Sequence, residues 1–280
     1  MSSSHLQAQT LRNSPHEWHV LSGGTGPAIL FLHGAGASAA SFRGLMERLT
    51  GSFQVIAPDL PGHGATRLGA RNRSGLDPMA EDIASLVSQR FQKPLLIVGH
   101  SAGGAIALQL SKLLSPRGLV LINPALDPFN GVAGWAFPAM ARGLSVAPFS
   151  GDVLAGLFGR ERRIFELLNA TGSVVTPEMK SRYLALAQNR HHIRGTLAMM
   201  AAWDVSGLRA GLAGYECPAT VLVADGDKTI LPSAQEAAAQ QLPNTKLVHH
   251  EGGHLIHEED PDFVADLILR TARAAAKARD

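Results

Sequence analysis

The chain has 280 residues, of which 45% are hydrophobic, and its formal net charge is +2. A chain of this size and composition can bury a substantial core, which excludes a disordered protein. It has no long run of Lys and Arg, so we expect no nucleic-acid partner. Its one cysteine, Cys217, excludes an intrachain disulfide and a cysteine-ligated zinc site, and we expect a buried small side chain there.

The apolar runs are shorter than the roughly 20 residues that a bilayer requires, so we expect no transmembrane segment. Residues 1–10 contain Ser and Gln and have no apolar signal core. The default expectation is therefore a soluble cytoplasmic protein, with peripheral contact with a membrane left open.

Short apolar runs alternate with helical stretches along most of the chain. Runs that are apolar throughout are typical of a parallel sheet covered by helices on both faces. We predict an opening hairpin over residues 5–11 and 17–21. The later strands are predicted at 27–33, 53–58, 94–99, 118–122, 220–224 and 246–249. The main helices are predicted at 38–49, 77–91, from residue 100 to about 114, and 261–275.

The alternation breaks once, between residues 122 and 218, where helical segments and prolines occur without a core strand. A structureless connection of that length is improbable in a compact domain. The sequence therefore predicts an α/β fold, a doubly wound and mostly parallel sheet with an inserted helical cap. The predicted core domain comprises residues 1–125 and 208–280, and the cap comprises residues 126–207.

The strongest local motif is Gly99-His100-Ser101-Ala102-Gly103, between a predicted strand and a predicted helix. This is the setting of a nucleophile elbow, in which a tight turn requires small neighbours and holds a serine in a strained conformation. The alternative is a chance match in a glycine-rich chain. The context favours Ser101 as a nucleophile.

A second motif, residues 31–36 with the sequence FLHGAG, ends the first predicted parallel strand. Its small residues can leave the N–H of Ala35 free for a substrate oxygen. With the N–H of Ala102 it would form an oxyanion hole. The alternative is a glycine turn without an electrostatic role. We expect His33 to be structural, hydrogen-bonded to neighbouring loops.

His254 is the favoured general base, because it follows the last predicted strand and precedes the final helix. Ser101 projects at the same edge of the sheet, and the chain order nucleophile, acid, histidine is satisfied. His249 and His250 are rivals that we assign to the strand and its end, and His257 is a third. A metal cluster of His250, His254, His257 and Glu258 is a weaker alternative.

Two acids compete to orient that histidine, Asp225 and Asp227, in the loop after the strand 220–224. The position after Gly226 and the spacing to Pro232 favour Asp227. It would fix the imidazole tautomer and stabilise the imidazolium. Asp225 would instead shape the turn. If neither carboxylate matters, Asp127 is the next candidate.

These motifs, in this order, resemble the α/β-hydrolase superfamily over nearly the whole chain. The segment 59–64, DLPGHG, fits the same superfamily, in which it lies beside the pocket. The resemblance implies an enzyme, a serine hydrolase that transfers an acyl group to water. It is specific for fold and poorly specific for substrate.

Longer strings resemble a narrower family, the magnesium chelatase accessory proteins of bacteriochlorophyll synthesis. They are 62–67 (GHGATR), 170–173 (ATGS), 195–204 (GTLAMMAAWD) and 253–259 (GHLIHEE). That family is assigned to magnesium insertion into protoporphyrin IX. The resemblance implies a tetrapyrrole as small-molecule substrate and magnesium chelatase subunits as partners. We expect no cofactor and no resident metal.

Several cap residues are candidates for an apolar ligand pocket over Ser101. Met and aromatic side chains adapt well to a large flat ligand, although each could simply bury the cap against the core. Arg67 could pair with a propionate, unlike Arg71 and Arg73, which we assign to solvated surface. His191 and His192 are interpreted as helix-surface residues rather than axial ligands. The pocket candidates are Arg67, Trp135, Met199, Met200 and Trp203; Phe137, Met140, Phe149 and Phe158 lie in the same region.

Three functions remain open from the sequence. The first is a hydrolase-like accessory protein with a Ser101–His254–Asp227 triad. The second is a general carboxylesterase of a small apolar ester. The third is a non-catalytic porphyrin carrier in which the triad is vestigial.

Overall fold

The computed structural model of the protein describes residues 6–127 and 160–277. Within these ranges, eight strands form one sheet in the order β1-β2-β4-β3-β5-β6-β7-β8. The strands β1 and β2 pair antiparallel, β2 pairs antiparallel with β4, and the remaining pairs are parallel. The strands are β1 Gln7–Asn13, β2 His16–Gly23, β3 Ala28–Leu32, β4 Gln54–Pro58, β5 Pro94–His100, β6 Gly118–Ile122, β7 Ala219–Ala224 and β8 Thr245–His250.

Helices cover both faces of this sheet, and further helices lie in the described part of the interval between β6 and β7. Among the described residues they are α1 Arg43–Leu49, α2 Leu76–Arg90, α3 Ala102–Leu114, α4 Glu161–Asn169, α5 Pro177–Gln188, α6 Arg190–Ala202, α7 Ser206–Ala210, α8 Pro232–Ala239, α9 Ile256–Glu259 and α10 Pro261–Lys277. None of these helices is long and apolar enough to cross a membrane, a finding that covers the described residues alone.

The central strands are buried on both faces, which explains their apolar sequences. In β3, Leu30 and Leu32 join the core under α2, α3 and α8, while Ile29 and Phe31 join the core under α1 and α10. Successive side chains of a strand point to opposite faces, so one apolar run supplies two cores. The predicted doubly wound sheet is confirmed.

Most predicted elements are found with ends shifted by one or two residues. The predicted helix 38–49 differs more, because it begins as a 3-10 turn, Ala39–Phe42, before α1. The buried carboxylate of Asp59 accepts a hydrogen bond from the Ala39 N–H at 2.7 Å and fixes this first turn. Cys217 is half-buried rather than buried, and burial raises the pKa of its thiol to about 11.

The chain between β6 and β7 includes two helices that build a small core of their own. Residues from α4 and α5 pack with Leu255, which follows the last strand. The cap helices therefore rest on the segment that carries His254. This small core contains Ile164, Leu168, Met179, Ala187 and Leu255.

Candidate active site

Ser101 lies in a strained turn between β5 and α3, with φ 54° and ψ −121°. A Cβ atom on Gly99 would lie 2.2 Å from the carbonyl oxygen of Gly103. A Cβ atom on Gly103 would lie 2.1 Å from the carbonyl oxygen of Leu32. Side chains cannot fit at either position, so the elbow depends on its glycines. A strained backbone of this kind costs about 1–3 kcal/mol and is typical of functional sites.

The loop after β3 lies directly against Ser101, since a Cβ on Gly34 would be 3.0 Å from the Ser101 Cβ. His33 Nδ1 donates to the Gly34 carbonyl at 2.8 Å, and His33 Nε2 accepts from the Leu60 N–H at 2.9 Å. The Gly34 carbonyl belongs to the same peptide group as the Ala35 N–H. In a trans peptide the two point in opposite directions, so His33 aims the N–H away from itself. His33 is structural, in agreement with its sequence interpretation.

The two predicted oxyanion-hole donors differ in their surroundings. The N–H of Ala35 has no hydrogen-bond acceptor within the part of the chain that the structure describes, and Ala35 is exposed. Ala102 is the first residue of α3, where an N–H has no partner inside the helix. Neither N–H is thus committed to a hydrogen bond within the residues that the structure describes.

Asp227 and His254 meet in a buried pair. His254 Nδ1 donates to Asp227 Oδ2 at 2.8 Å, and the Asp227 side chain is fully buried. The other carboxylate oxygen accepts from the N–H groups of Thr229 and Ile230 at 2.7 and 3.0 Å. Gln235 Nε2 also donates to Oδ2, at 3.1 Å. With its carboxylate held by four donors, Asp227 fixes the orientation of the imidazole.

The elbow lies close to this pair, but Ser101 itself forms no hydrogen bond with it among the described residues. The neighbouring His100 ring lies 4.7 Å from the His254 ring, measured between centroids. Among the described residues, no hydrogen bond joins Ser101 Oγ to His254. The structure therefore joins the acid and the histidine, and it places the residue before the serine against the histidine ring.

The carbonyl of His254 is held by two side chains that the sequence analysis did not single out. His100 Nε2 and Asn123 Nδ2 each donate to it at 2.9 Å. Asn123 Oδ1 accepts from the Ala224 N–H at 2.8 Å, so this fully buried side chain links the ends of β6 and β7 to the histidine loop. Two local features alone mark Asn123 as unusual: its position after a buried strand and its positive φ of 44°.

The segment 170–173, ATGS, connects the acid loop to the histidine loop. The Thr171 carbonyl accepts from the N–H of Lys228 at 3.1 Å and from the N–H of His254 at 3.3 Å. Ser173 Oγ accepts from the Leu255 N–H at 2.8 Å. A Cβ atom on Gly172 would lie 2.0 Å from the Gly226 carbonyl oxygen, so a larger side chain could not fit at this position. This segment, picked out for its resemblance, fixes the spacing of the two loops.

The rival acids Asp225 and Asp127 and the rival histidines His249 and His250 have partners other than His254 and Asp227. His249 Nδ1 lies 2.9 Å from Asp225, and Asp127 forms an ion pair with Arg209. His250 lies 3.0 Å from Asp260. No cluster of His, Cys, Asp or Glu that could hold a metal ion occurs in the ranges described, so the alternative of His250, His254, His257 and Glu258 as ligands is not supported.

His257 is buried between the rings of Phe42 and His100, at centroid distances of 5.0 and 4.2 Å. Burial, with the nearby His254 and Arg182, lowers its pKa to about 3. Neither ring nitrogen has a hydrogen-bond partner among the described residues. His257 is therefore a neutral packing residue and not a rival base.

The predicted pocket residues lie in different surroundings. The Arg67 side chain is 83% exposed, and its Nε lies 3.5 Å from the Glu17 carboxylate. Met199 is buried in the main core, whereas Met200 and Trp203 are half-buried. Trp135 lies outside the described residues, as do the other aromatic and Met residues of 128–159 that the sequence pointed to.

A polar cleft of about 490 Å³ opens where α2 and α3 meet the end of α6. Its walls do not include Ser101 or His254. The lining residues are Asn72, Gly75, Leu76, Asp77, Pro78, Gln109, Ala202, Asp204, Gly207 and Leu208.

The prediction that His192 lies on the helix surface is wrong, because its side chain is buried, with 2% exposure. Burial and the nearby His33 lower its pKa to about 4, although a hydrogen bond to Gly36 acts in the opposite direction. The helix that carries it packs onto the loops after β3 and β4, which no local pattern could reveal.

The sequence matches the alpha/beta hydrolase family over residues 29–267. Together with the sheet order and the elbow, this match settles the class: the chain belongs to the α/β-hydrolase family. Within it, the chain is 44% identical to the magnesium-chelatase 30 kDa subunit of Rhodobacter capsulatus, over 92% of either chain. The resemblance to the magnesium chelatase accessory proteins is thereby confirmed.

More distant relatives have other activities. A soluble epoxide hydrolase of Corynebacterium sp. (strain C12) is 28% identical over 91% of this chain and 93% of its own. A thermophilic esterase from Thermogutta terrifontis superposes with a TM-score of 0.71, at 23% identity, over 97% of this chain and 99% of its own. This likeness concerns the fold and leaves the substrate undetermined.

Proposed function

We propose that the chain is a serine hydrolase of acyl esters, with Ser101 as nucleophile, His254 as general base and Asp227 as the orienting acid. The observation that carries this proposal is the buried 2.8 Å hydrogen bond between His254 Nδ1 and Asp227, placed beside the strained serine. Because Nδ1 carries the proton that Asp227 accepts, the neutral imidazole has its lone pair on Nε2. That atom is the one that can take a proton from Ser101.

The reaction proceeds in two balanced steps. Ser101 Oγ bonds to the ester carbonyl carbon as its proton passes to His254, and the bond from that carbon to the alcohol oxygen breaks as His254 protonates the leaving alcohol. Water then attacks the acyl-serine with His254 as base, releasing the acid and restoring Ser101. The N–H groups of Ala35 and Ala102 would stabilise the oxyanion in both steps.

The relative at 44% identity supports a place in magnesium chelation, since its name assigns it to magnesium chelatase. We accordingly propose a tetrapyrrole as ligand and chelatase subunits as partners. Trp203 and Met200 are half-buried at the end of α6 and offer apolar contact. Arg67, exposed on the loop after β4, would contribute orientation rather than affinity, because an exposed ion pair is worth only about 0–1 kcal/mol. We also propose that Trp135 contributes to this apolar site and that the cap comprises residues 126–207.

A second candidate is a porphyrin carrier that does not use the triad. The absence of a hydrogen bond between Ser101 and His254 in the described part of the chain favours it. A carrier needs the pocket and not the chemistry, so the two functions predict different behaviour toward a reactive serine probe.

The deciding experiment combines fluorophosphonate labelling with hydrolysis of p-nitrophenyl acetate, for the wild type and Ser101→Ala. The hydrolase requires labelling and turnover in the wild type, with a loss on the order of a thousandfold or more in the variant. A wild type that binds protoporphyrin IX at micromolar concentration but neither labels nor turns over is a carrier. Brisk turnover of short esters without porphyrin binding at tens of micromolar indicates a general esterase.

A further inference from the structure

We infer that His192 is a positioning residue that ties the cap helix α6 to the oxyanion loop. The inference rests on the proposed function, because it assigns His192 a role in aligning the Ala35 N–H. It acts through the backbone of residues 34–36 and touches neither the nucleophile nor the base.

His192 uses both ring nitrogens on two separate loops of the core. Its Nε2 donates to the Gly36 carbonyl at 3.2 Å, and its Nδ1 accepts from the Gly64 N–H at 3.0 Å. Gly36 follows β3 and Gly64 follows β4, so one cap side chain joins the loops at the ends of two adjacent strands. Only the neutral tautomer with the proton on Nε2 satisfies both contacts.

The helix that carries His192 is held at a fixed distance from these loops. A Cβ atom on Gly195 would lie 2.0 Å from the Gly62 carbonyl oxygen, so helix and loop are in backbone contact. The Asn189 side chain caps α6 by accepting from the N–H groups of His191 and His192, and its amide donates to the Gly64 carbonyl at 3.5 Å. The imidazole is therefore placed by close packing.

The oxyanion loop is consequently anchored on both sides of Ala35. His33 holds the Gly34 carbonyl from the core side, at 2.8 Å, and His192 holds the Gly36 carbonyl from the cap side, at 3.2 Å. Gly36 has a φ of 74°, and its backbone would otherwise have wide freedom. With both flanking carbonyls fixed, the Ala35 N–H has little freedom to turn away from the oxyanion.

The surroundings of His192 keep it neutral. The His63 ring meets it edge-on at 5.3 Å, and the His33 ring lies 5.4 Å from that of His63. Asp59, whose charge acts on His192, is buried and already accepts from His19 and the N–H groups of Ala39 and Ala65. A proton on His192 Nδ1 would face the Gly64 N–H and break that contact.

Three substitutions separate the two contacts. His192→Gln can keep a donor to the Gly36 carbonyl, His192→Asn can keep an acceptor for the Gly64 N–H, and His192→Leu removes both. His191→Gln is the matched control, since His191 is the exposed neighbour on the same helix. The kcat and KM for p-nitrophenyl acetate, the rate of fluorophosphonate labelling and Tm are measured for each.

We expect kcat to fall about 10- to 100-fold in His192→Leu and His192→Asn, as for a displaced catalytic group, with KM changed less than about twofold. His192→Gln should retain kcat within about threefold, and His191→Gln should match the wild type. The inference is overturned if kcat follows Tm across all three variants and His192→Gln has no higher kcat than His192→Asn. It is also overturned if His192→Leu retains full kcat. A wild type without turnover or labelling refutes the proposed function, and the role of His192 with it.

Discussion

The side-chain amide of Asn123 donates to the main-chain carbonyl of His254 at 2.9 Å, although 131 residues separate the two in sequence. The same amide donates to the Gly253 carbonyl at 3.2 Å, and its oxygen accepts from the Ala224 N–H. A single buried side chain thus connects three strand ends and fixes the backbone of the histidine.

The first prediction concerns this amide. Asn123→Gly keeps the positive φ and removes the side chain, whereas Asn123→Ala removes the amide and adds backbone strain. Both should lower the free energy of unfolding by about 1–3 kcal/mol, because the carbonyls of His254 and Gly253 lose buried donors. Chemical denaturation measures the loss, which should be larger for Ala than for Gly. A stability equal to the wild type in both variants would contradict the role assigned to Asn123.

The second prediction separates the two acids. Asp227→Asn should lower kcat by on the order of 10⁴, as expected when the histidine adopts the wrong tautomer, while the fold is retained. Asp225→Asn is the matched control, because that carboxylate is exposed and pairs with His249. Steady-state hydrolysis of p-nitrophenyl acetate measures both. A larger effect at Asp225 would show that the acid has been assigned wrongly.

The third prediction is a loss of stability in acid. Burial lowers the pKa of His192 to about 4 and that of His257 to about 3, from 6.5. Below pH 6.5 the unfolded chain therefore binds more protons than the folded one, and the free energy of unfolding decreases as the pH falls. The contribution of His192 is lost by about pH 4 and that of His257 by about pH 3. These shifts correspond to roughly 3 kcal/mol for His192 and roughly 5 kcal/mol for His257.

His257→Leu tests this explanation. Neither ring nitrogen of His257 has a hydrogen-bond partner among the described residues, so removing them at pH 7 should change stability by less than about 1.5 kcal/mol. Between pH 6 and 4 the variant should lose less stability than the wild type. Denaturant unfolding followed by circular dichroism at a series of pH values measures both slopes, and identical slopes would refute a contribution from His257.

The fourth prediction concerns the tetrapyrrole. Trp203→Ala should weaken binding of protoporphyrin IX more than Arg67→Ala, since apolar burial contributes about 25 cal/mol per Å² and the Arg67 guanidinium is mostly solvated. The shift of the Soret band on titration reports the affinity. Met199→Ala should also weaken binding. Met199 is a core residue, so the variant should also be destabilised by about 2–5 kcal/mol, and its loss of affinity must be corrected for unfolded protein. Equal affinities of the Trp203 and Arg67 variants would argue against an apolar site at the end of α6.

The sequence by itself determined the sheet and the elbow, and it predicted the residues of the candidate triad. These features depend on local sterics and burial: apolar strands are buried on both faces, and only glycine fits at positions 99 and 103. The order of motifs along the chain then selected His254, and the turn after β7 favoured Asp227.

Tertiary structure decided the contacts that hold these residues. Asp225 and Asp227 differ by two positions in one loop, and the packing of that loop against β8 and the 170–173 segment directs one to His249 and the other to His254. Asn123 and His192 act across more than 120 residues, on carbonyls and N–H groups that every residue type carries. A main-chain partner leaves no pattern in the sequence, because its identity depends on the backbone path and not on its side chain.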